Sequence, residues 1–213
     1  MVIIAGVDEA GRGPAIGPLV VAAVSFQASA ADGLFSMGVR DSKALSARRR
    51  ESLAAEIREV SEGHSYFELQ PWAIDKVVNR GLKLRKLNYL EAMAMAKAIR
   101  DLHPDRVYVD AADVLPGRFG SDILRVLGWT PHLICEKKAD LNYPVVSAAS
   151  VLAKVRRDLL VSNLREIHGD FGSGYPSDPK TVAFIEAWFQ DNEVPPPYMR
   201  GSWKTIRRYT SQG

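Results

Sequence analysis

The sequence has very little cysteine and no hydrophobic stretch long enough to cross a membrane. Its 213 residues include a single cysteine, Cys135, which excludes an internal disulfide framework and a cysteine-rich zinc site and favours a reducing compartment. No run approaches the roughly 18 apolar residues that a membrane span needs. The apolar start of the chain is interrupted by Asp8 and Glu9 before it could form the core of a secretory signal. We therefore expect a cytoplasmic protein with no membrane contact.

Acidic residues are missing from the end of the chain. From Met199 onward the sequence has basic residues and no aspartate or glutamate, whereas the net charge of the whole chain is only +3. A local excess of positive charge suits a polyanionic partner such as nucleic acid. With 46% hydrophobic and 25% charged residues, the composition is that of a globular protein, and the length favours one main domain with an appended segment.

The pattern of apolar residues predicts a mixed α/β fold. Two apolar runs, 2–7 and 18–26, flank a glycine-rich turn and predict two antiparallel strands. Strand and helix patterns then alternate, which implies parallel pairing in the second half of the sheet. The remaining predicted elements are strands over 64–70, 105–112 and 131–138, and helices over 47–62 with Ser46 as N-cap, over 84–102, 120–127 and 180–190, and from Pro144 onward.

The glycine-rich turn, residues 11–17, sends two conflicting signals. Its glycines follow an apolar strand, as in dinucleotide-binding loops. Compared with the G-x-G-x-x-G motif of those loops, however, the spacing has one residue too many before the last glycine. A lone match of this kind is weak. Pro14 has no N–H to offer a phosphate, and Asp8 and Glu9 would repel a pyrophosphate unless cations intervened. A dinucleotide-dependent oxidoreductase remains an alternative, with Asp32 available to hold a ribose.

Two further acids stand at the ends of later predicted strands. Asp110 closes the strand RVYVD, and Asp140 follows HLICEKK across a short turn. Because the carboxyl ends of parallel strands meet at one edge of a sheet, we expect Asp110 and Asp140 to converge with Asp8 and Glu9. Carboxylates are the ligands that hard divalent ions prefer, and two such ions roughly 4 Å apart would activate water and stabilise the leaving oxygen of a phosphodiester. Asp113 is interpreted as a turn residue, and Asp113→Asn should stay active as the control.

One stripe of the long helix combines small hydroxyls with a lysine. Ser147, Ser150 and Lys154 fall on this stripe, opposite the apolar side of the helix. They suit contacts to a phosphate backbone, although small serines also allow close packing. Lys43, in the segment DSK, is open to the same two interpretations, a phosphate contact or a solvated lysine.

Several longer segments resemble the ribonuclease HII family, in order and spacing, over nearly the whole chain. They are GVDEAGRGPAIGPLVVAAV, DSKALS, VYVDAADV, KKADLNYPVVSAASVLAKVRRD and GSGYPSDP, and the ending RGSWKT is similar to the archaeal and eukaryotic branch. The resemblance implies a ribonuclease H-like α/β fold, with a five-stranded mixed sheet flanked by helices. It places the catalytic core in residues 1–177 and a helical, basic C-terminal segment in residues 178–213.

The resemblance also implies an activity. Members of this family are endonucleases that use Mg²⁺ or Mn²⁺, with two divalent ions during catalysis, and act on RNA paired to DNA and on ribonucleotides embedded in duplex DNA. A monomer with a role in replication and ribonucleotide excision repair is expected, and the C-terminal tail is a candidate for contact with a sliding clamp. Besides the oxidoreductase, the residues leave a second rival, a non-catalytic nucleic-acid-binding module, which would need the basic tail and the glycine loops but not four acids.

The resemblance assigns roles to individual residues. The catalytic, metal-binding acids of the family fall on Asp8, Glu9, Asp110 and Asp140. The main chain of Gly11, Arg12 and Gly13 is expected to approach the ribose 2′-hydroxyl, and Tyr175 to sense it, since this hydroxyl is what lets a protein tell RNA from DNA. Lys43, Ser147, Ser150 and Lys154 complete the predicted substrate-binding set.

Overall fold

The computed structural model describes residues 1–31, 33–39, 45–80 and 86–210. The strands are β1 (Ile3–Ala10), β2 (Leu19–Gln27), β3 (Gly63–Leu69), β4 (Arg106–Asp110) and β5 (His132–Glu136). They form one sheet in the order β3-β2-β1-β4-β5. β1 is antiparallel to β2 and parallel to β4, and β4 is parallel to β5. The predicted five-stranded mixed sheet is confirmed.

Helices account for most of the remaining described chain. They are α1 (Gly33–Ser36), α2 (Ala47–Val60), α3 (Pro71–Asn79), α4 (Lys86–Leu102), α5 (Pro116–Leu127), α6 (Ala139–Asn142), α7 (Pro144–His168), α8 (Pro179–Asp191) and α9 (Lys204–Thr210), with a short 3-10 turn over Ala28–Ala30. Every predicted helix is present near its predicted bounds. The start of α7 at Pro144 follows the preference of proline for a first helical turn.

Side-chain caps define two helix starts. The Ser46 hydroxyl accepts a hydrogen bond from the Arg49 N–H at 3.3 Å, so the predicted N-cap of α2 is confirmed. At α8 the Asp178 carboxylate accepts from the Lys180 N–H at 3.0 Å. Each cap satisfies a donor that the first turn of a helix leaves without an intrahelical acceptor.

The chain forms two compact units that alternate along the sequence. Unit 1 comprises Met1–Ala10, Val20–Phe67 and Asn88–Arg156, and unit 2 comprises Gly11–Leu19, Glu68–Leu87 and Arg157–Gly213. Residues on both sides of the predicted boundary at 177 belong to unit 2. Within the described ranges, no helix combines the length and apolar character that crossing a bilayer requires.

Unit 1 buries the apolar residues of its strands against α2 and the first half of α7. Phe26 of β2, Ile57 of α2 and Leu152 of α7 belong to this core, whose removal from water is the main force favouring the fold. The start of α7 passes very close to β1, because a Cβ on Gly6 would lie 2.0 Å from the carbonyl oxygen of Val145. Only glycine permits this approach.

Unit 2 has its own hydrophobic core. Ile16, next to the glycine-rich turn, forms an isolated β-bridge with Met199, and both are buried with Phe171 and Ile185. The C-terminal helix α9 contributes Ile206 to the same cluster. The basic end of the chain is therefore packed into this unit as far as α9.

Candidate active site

Three carboxylates stand side by side at one edge of the sheet. In the parallel pairing, Val7 lies opposite Val109 and Asp110 lies opposite Glu136. Asp8, one residue beyond Val7, therefore neighbours Asp110, with Glu136 on the far side. Since alternate residues of a strand share a face, Asp8 lies on the same face as Gly6, which is the face that the start of α7 covers.

Asp8 occupies an unusual electrostatic position. It is only 6% exposed, and its burial raises the pKa of its carboxyl group to about 7, against a hydrogen bond from Ser150 that lowers it. The negative charge of Asp110 raises this pKa further, while the Glu9 N–H, which donates to Asp8 at 2.7 Å, lowers it. A buried carboxylate beside another carboxylate favours a bound proton or a cation.

The stripe of α7 that the sequence singled out lies against the acids. The Ser147 hydroxyl donates to the backbone carbonyl of Asp140, and Ser150 in turn receives a hydrogen bond from Lys154 Nζ at 2.9 Å. Both serines are only 2% exposed. Their hydroxyls hold the acid-bearing segments within the protein, and their predicted contact with a substrate phosphate stays a prediction.

The segment between β5 and α7 carries Asp140 in the one-turn helix α6. Lys138, just before α6, has a φ of 57° in the left-handed region, and the next residue, Ala139, donates its N–H to Asp110 Oδ1 at 3.3 Å. This bond ties the segment to the end of β4. Asp140 itself is 8% exposed.

The four predicted acids share this edge without forming a complete set of metal ligands. Among the described residues, no group of three or more histidine, cysteine, aspartate or glutamate side chains is arranged so that it could hold a metal ion as it stands. The assignment of Asp8, Glu9, Asp110 and Asp140 as joint metal ligands therefore stays a prediction.

Asp113 is more than the turn residue that the sequence suggested. It does close a turn, because its carboxylate accepts from the Leu115 N–H at 3.0 Å. It also pairs with Arg118 and is 2% exposed. Burial alone would raise its pKa, but the hydrogen bonds from Arg118, Leu115 and Asn88 outweigh burial and lower the pKa to about 2. An asparagine would leave the Arg118 charge without this carboxylate, so Asp113→Asn is a poor control for folding, and the expectation that it stays active remains a prediction.

In unit 2, the glycine-rich turn meets the tyrosine predicted to sense ribose. Gly11 has a φ of 84°, and a Cβ there would lie 2.8 Å from the Pro18 carbonyl oxygen, so a larger residue does not fit. Gly13 is exposed, and a Cβ on it would lie 3.5 Å from a ring carbon of Tyr175. The structure thus brings together two parts of the predicted ribose-reading set.

A fully buried arginine, which sequence reasoning did not select, holds this turn from within. Arg200 donates to the carbonyl oxygens of Gly11 at 2.6 Å, of Arg12 at 2.8 Å and of Gly17 at 2.9 and 3.1 Å. In a planar trans peptide the C=O and the following N–H point in opposite directions. With the first two carbonyls turned toward Arg200, the N–H groups of Arg12 and Gly13 point away from it. The turn therefore has two adjacent N–H donors. The only sequence signal for the role of Arg200 in holding the turn was its position in RGSWKT.

Arg157, also missed, supports the tyrosine. Its guanidinium carbon lies 5.2 Å from the centre of the Tyr175 ring, and its Nη2 donates to the Ser173 carbonyl at 2.7 Å. A cation over an aromatic face and a bond to the preceding loop together restrict the position of the ring. Lys43, the remaining predicted contact, lies outside the described residues.

A mixed sheet in this strand order, with carboxylates at the ends of its parallel strands, defines a hydrolase of the ribonuclease H class. The family model "Ribonuclease HII" matches residues 5–206, and the chain belongs to this family. The ribonuclease HII of Thermococcus sibiricus is 44% identical over 205 residues, which cover 95% of this chain and 89% of the relative.

Two solved structures are similar over almost their whole length. The crystal structure of ribonuclease H2 from Pyrococcus horikoshii OT3 has a TM-score of 0.89 and 39% identity, and covers 99% of this chain and 98% of its own. The RNase HII of Archaeoglobus fulgidus, solved in a complex with PCNA, has a TM-score of 0.85 and 39% identity, with 95% and 96% covered. The resemblance found in the sequence and the ribonuclease H-like fold are confirmed.

Family membership decides between the functions left open by the sequence. The chain is an enzyme of the ribonuclease H type, an endonuclease that acts on RNA/DNA hybrids, rather than a non-catalytic binding module or a dinucleotide-dependent oxidoreductase.

Proposed function

We propose that the protein hydrolyses the RNA strand of RNA/DNA hybrids and cuts on the 5′ side of ribonucleotides embedded in duplex DNA, leaving 3′-hydroxyl and 5′-phosphate ends. The observation that carries the proposal is the position of buried Asp8 beside Asp110 at the ends of neighbouring parallel strands. Such a pair is electrostatically unfavourable in the absence of a cation, because each carboxylate makes the charge of the other less favourable.

The proposed cofactors are two divalent ions, Mg²⁺ or Mn²⁺, held by Asp8, Glu9, Asp110 and Asp140. Carboxylate oxygens fit these hard ions, and a cation would offset the repulsion that helps to raise the pKa of Asp8. When bound, the ions supply activation of water and stabilisation of the leaving oxygen.

The chain's own residues orient the proposed ligands. Ser150 and the Glu9 N–H hold the Asp8 carboxylate, and the Ala139 N–H holds that of Asp110. Lys154, hydrogen-bonded to Ser150, adds positive charge suited to a substrate phosphate.

Ribose recognition is assigned to unit 2. The N–H groups of Arg12 and Gly13, directed away from Arg200, are donors for the 2′-hydroxyl, and the Tyr175 hydroxyl is a second partner. An all-DNA duplex offers the same phosphates without this hydroxyl, so it should bind but remain uncut.

Incubation with a labelled DNA duplex that contains one ribonucleotide tests the proposal. With Mg²⁺ or Mn²⁺ we expect one cut on the 5′ side of the ribonucleotide, and no cut with EDTA or in the all-DNA duplex. Products with a 2′,3′-cyclic phosphate would overturn the proposal, because the 2′-hydroxyl would then be the nucleophile instead of water.

Substitutions of Tyr175 separate its hydroxyl from its ring. Tyr175→Phe removes one hydrogen-bonding group, worth about tenfold in rate, whereas Tyr175→Ala also removes the ring beside Gly13 and should cost more. Cleavage rates on the single-ribonucleotide duplex measure both. Tyr89→Ala is the matched control, since Tyr89 and Tyr175 are both 37% exposed. Cleavage by Tyr175→Ala at the rate of the control would remove Tyr175 from the ribose-reading set.

We also propose contact with a sliding clamp through the C-terminal segment 178–213. Support comes from the Archaeoglobus fulgidus relative, which was solved with PCNA. Ile206 of α9 is buried in unit 2. A truncation that tests the contact without disturbing this core should therefore remove only residues after Thr210. Co-elution of the chain with a clamp ring in size-exclusion chromatography is the expected result, and separate elution would argue against the contact.

A further inference from the structure

Glu136 and Tyr143 flank the segment that carries Asp140. Glu136 is the last residue of β5, and Tyr143 follows α6 directly before α7 begins. The Tyr143 hydroxyl donates to a carboxylate oxygen of Glu136 at 3.1 Å. One side-chain hydrogen bond therefore closes the whole connection between the sheet and the long helix.

The backbone of Tyr143 holds both neighbouring helices. Its N–H donates to the Ala139 carbonyl at 2.9 Å, and its own carbonyl accepts from the N–H groups of Val146 at 3.0 Å and Ser147 at 3.1 Å. The ring also packs on Tyr108 with 4.7 Å between ring centres. Tyr108 lies two residues before Asp110 on the same face of β4, so the packing places Tyr143 next to the strand that carries Asp110.

The one-turn helix α6 needs such external support. It has four residues and no side-chain hydrogen bond at its N-cap position, Lys138. Helices this short are unstable by themselves, because nucleation costs more conformational entropy than the few hydrogen bonds return. The position of Asp140 is therefore set by contacts from outside α6, which are those at the two ends of the segment and the Ser147 hydroxyl that donates to the Asp140 carbonyl.

We infer that Glu136 and Tyr143 are a positioning pair that holds the 137–142 segment against the sheet edge, so that Asp140 and Asp110 stay in place for divalent-ion binding. The inference rests on the proposed role of these acids. Burial, with the hydrogen bond and the charge of Glu136, raises the pKa of Tyr143, so its hydroxyl keeps the proton that it donates. In this role Glu136 acts as a hydrogen-bond acceptor and not as a metal ligand.

Conservative substitutions distinguish the positioning role from a charge effect. Tyr143→Phe removes the donor, and Glu136→Ala removes the acceptor. Glu136→Gln keeps an oxygen that can accept from Tyr143 but carries no charge. Exposed Tyr89 provides the control substitution Tyr89→Phe.

Amide hydrogen exchange, Mn²⁺ titration calorimetry and cleavage assays are the measurements. For Tyr143→Phe and Glu136→Ala we expect faster exchange at 138–143 with unchanged exchange in α2, and Mn²⁺ binding about tenfold weaker, as for other residues that orient metal ligands. Higher Mn²⁺ concentrations should restore much of the cleavage. Glu136→Gln should keep the exchange rates and the Mn²⁺ affinity of the wild type, and Tyr89→Phe should stay close to wild type in all three measurements.

Two results would overturn the inference. Unchanged exchange and Mn²⁺ affinity in Tyr143→Phe would show that the hydrogen bond positions nothing. Loss of Mn²⁺ affinity in Glu136→Gln equal to that in Glu136→Ala would show that Glu136 acts through its charge. If instead the wild type failed to cut hybrid duplexes, the proposed function would fall, while the exchange measurements would still decide the role of the pair.

Discussion

Asp8→Asn is expected to lower cleavage at least about a hundredfold and, in the same molecule, to stabilise the metal-free protein at pH 8. Activity falls because a neutral amide is a poorer ligand for a divalent ion than a carboxylate. Stability rises because the substitution removes a buried negative charge beside Asp110. Cleavage under single-turnover conditions and thermal unfolding in EDTA measure the two effects.

The pH dependence of this gain in stability follows from the raised pKa. Asp8 has a folded-state pKa of about 7 against an ordinary value of 3.8, so between these values the folded chain binds more protons than the unfolded chain. The free energy of unfolding of the wild type therefore falls as the pH rises through this range, and the total decrease due to Asp8 is a few kcal/mol. The melting temperatures of Asp8→Asn and wild type should be similar near pH 4 and diverge up to about pH 8.

The other acids and a surface aspartate serve as comparisons. Glu9→Gln, Asp110→Asn and Asp140→Asn should also lower cleavage by orders of magnitude. Asp191→Asn, at the exposed end of α8, should leave cleavage and melting unchanged, and it replaces Asp113 as the control. Cleavage by Asp8→Asn at the rate of Asp191→Asn would remove Asp8 from the catalytic set.

Arg200→Lys is expected to lower cleavage of the single-ribonucleotide duplex by about ten- to a hundredfold, since errors of about 1 Å in positioning carry costs of this size. Lysine keeps the positive charge, but its single ammonium cannot replace the planar fork that holds three carbonyls of the turn. The N–H groups of Arg12 and Gly13 would then lose their fixed direction. Binding to an all-DNA duplex should be unchanged, because the predicted phosphate contacts are elsewhere.

Melting curves accompany this experiment, because Arg200 also stabilises unit 2. A buried carbonyl that loses its donor costs about 1–3 kcal/mol, so the cleavage assays are run well below the melting temperature of the variant. Arg208→Lys, which replaces an exposed arginine in α9, is the matched control. Cleavage by Arg200→Lys at the rate of this control would show that the turn does not need the guanidinium.

The regular elements could be predicted because their apolar patterns are long. The strand over Leu19–Gln27 is one nearly continuous apolar run, and the helix over Lys86–Leu102 repeats apolar residues three or four positions apart. The sequence patterns do not predict α3 or α6, which are short and depend on tertiary contacts. The four acids could be selected as candidates because each stands at or near a strand end, and strand ends can be located from sequence.

The partners of individual polar residues could not be predicted in the same way. The spacing of Ser147 and Ser150 shows that they share a face, but not whether that face meets a substrate or the protein's own carboxylate and carbonyl groups. Arg200 lies 183 residues from Gly17, and no local pattern indicates that an arginine is buried under a distant turn. Asp113 was interpreted only as a turn residue. The turn can be predicted from the local sequence, whereas the ion pair with Arg118 leaves no sequence pattern that indicates it.

The close contact between Gly6 and Val145 has a consequence for the behaviour of the enzyme on heating. Because no side chain separates strand from helix here, the short side chain of Ser150 is long enough to reach Asp8. A short side chain has few rotamers to populate as the temperature rises. The orientation of Asp8 is therefore set by the packing of the backbone, and we expect it to persist until α7 separates from the sheet, so unfolding of unit 1 sets an upper limit on the temperature at which the enzyme can act.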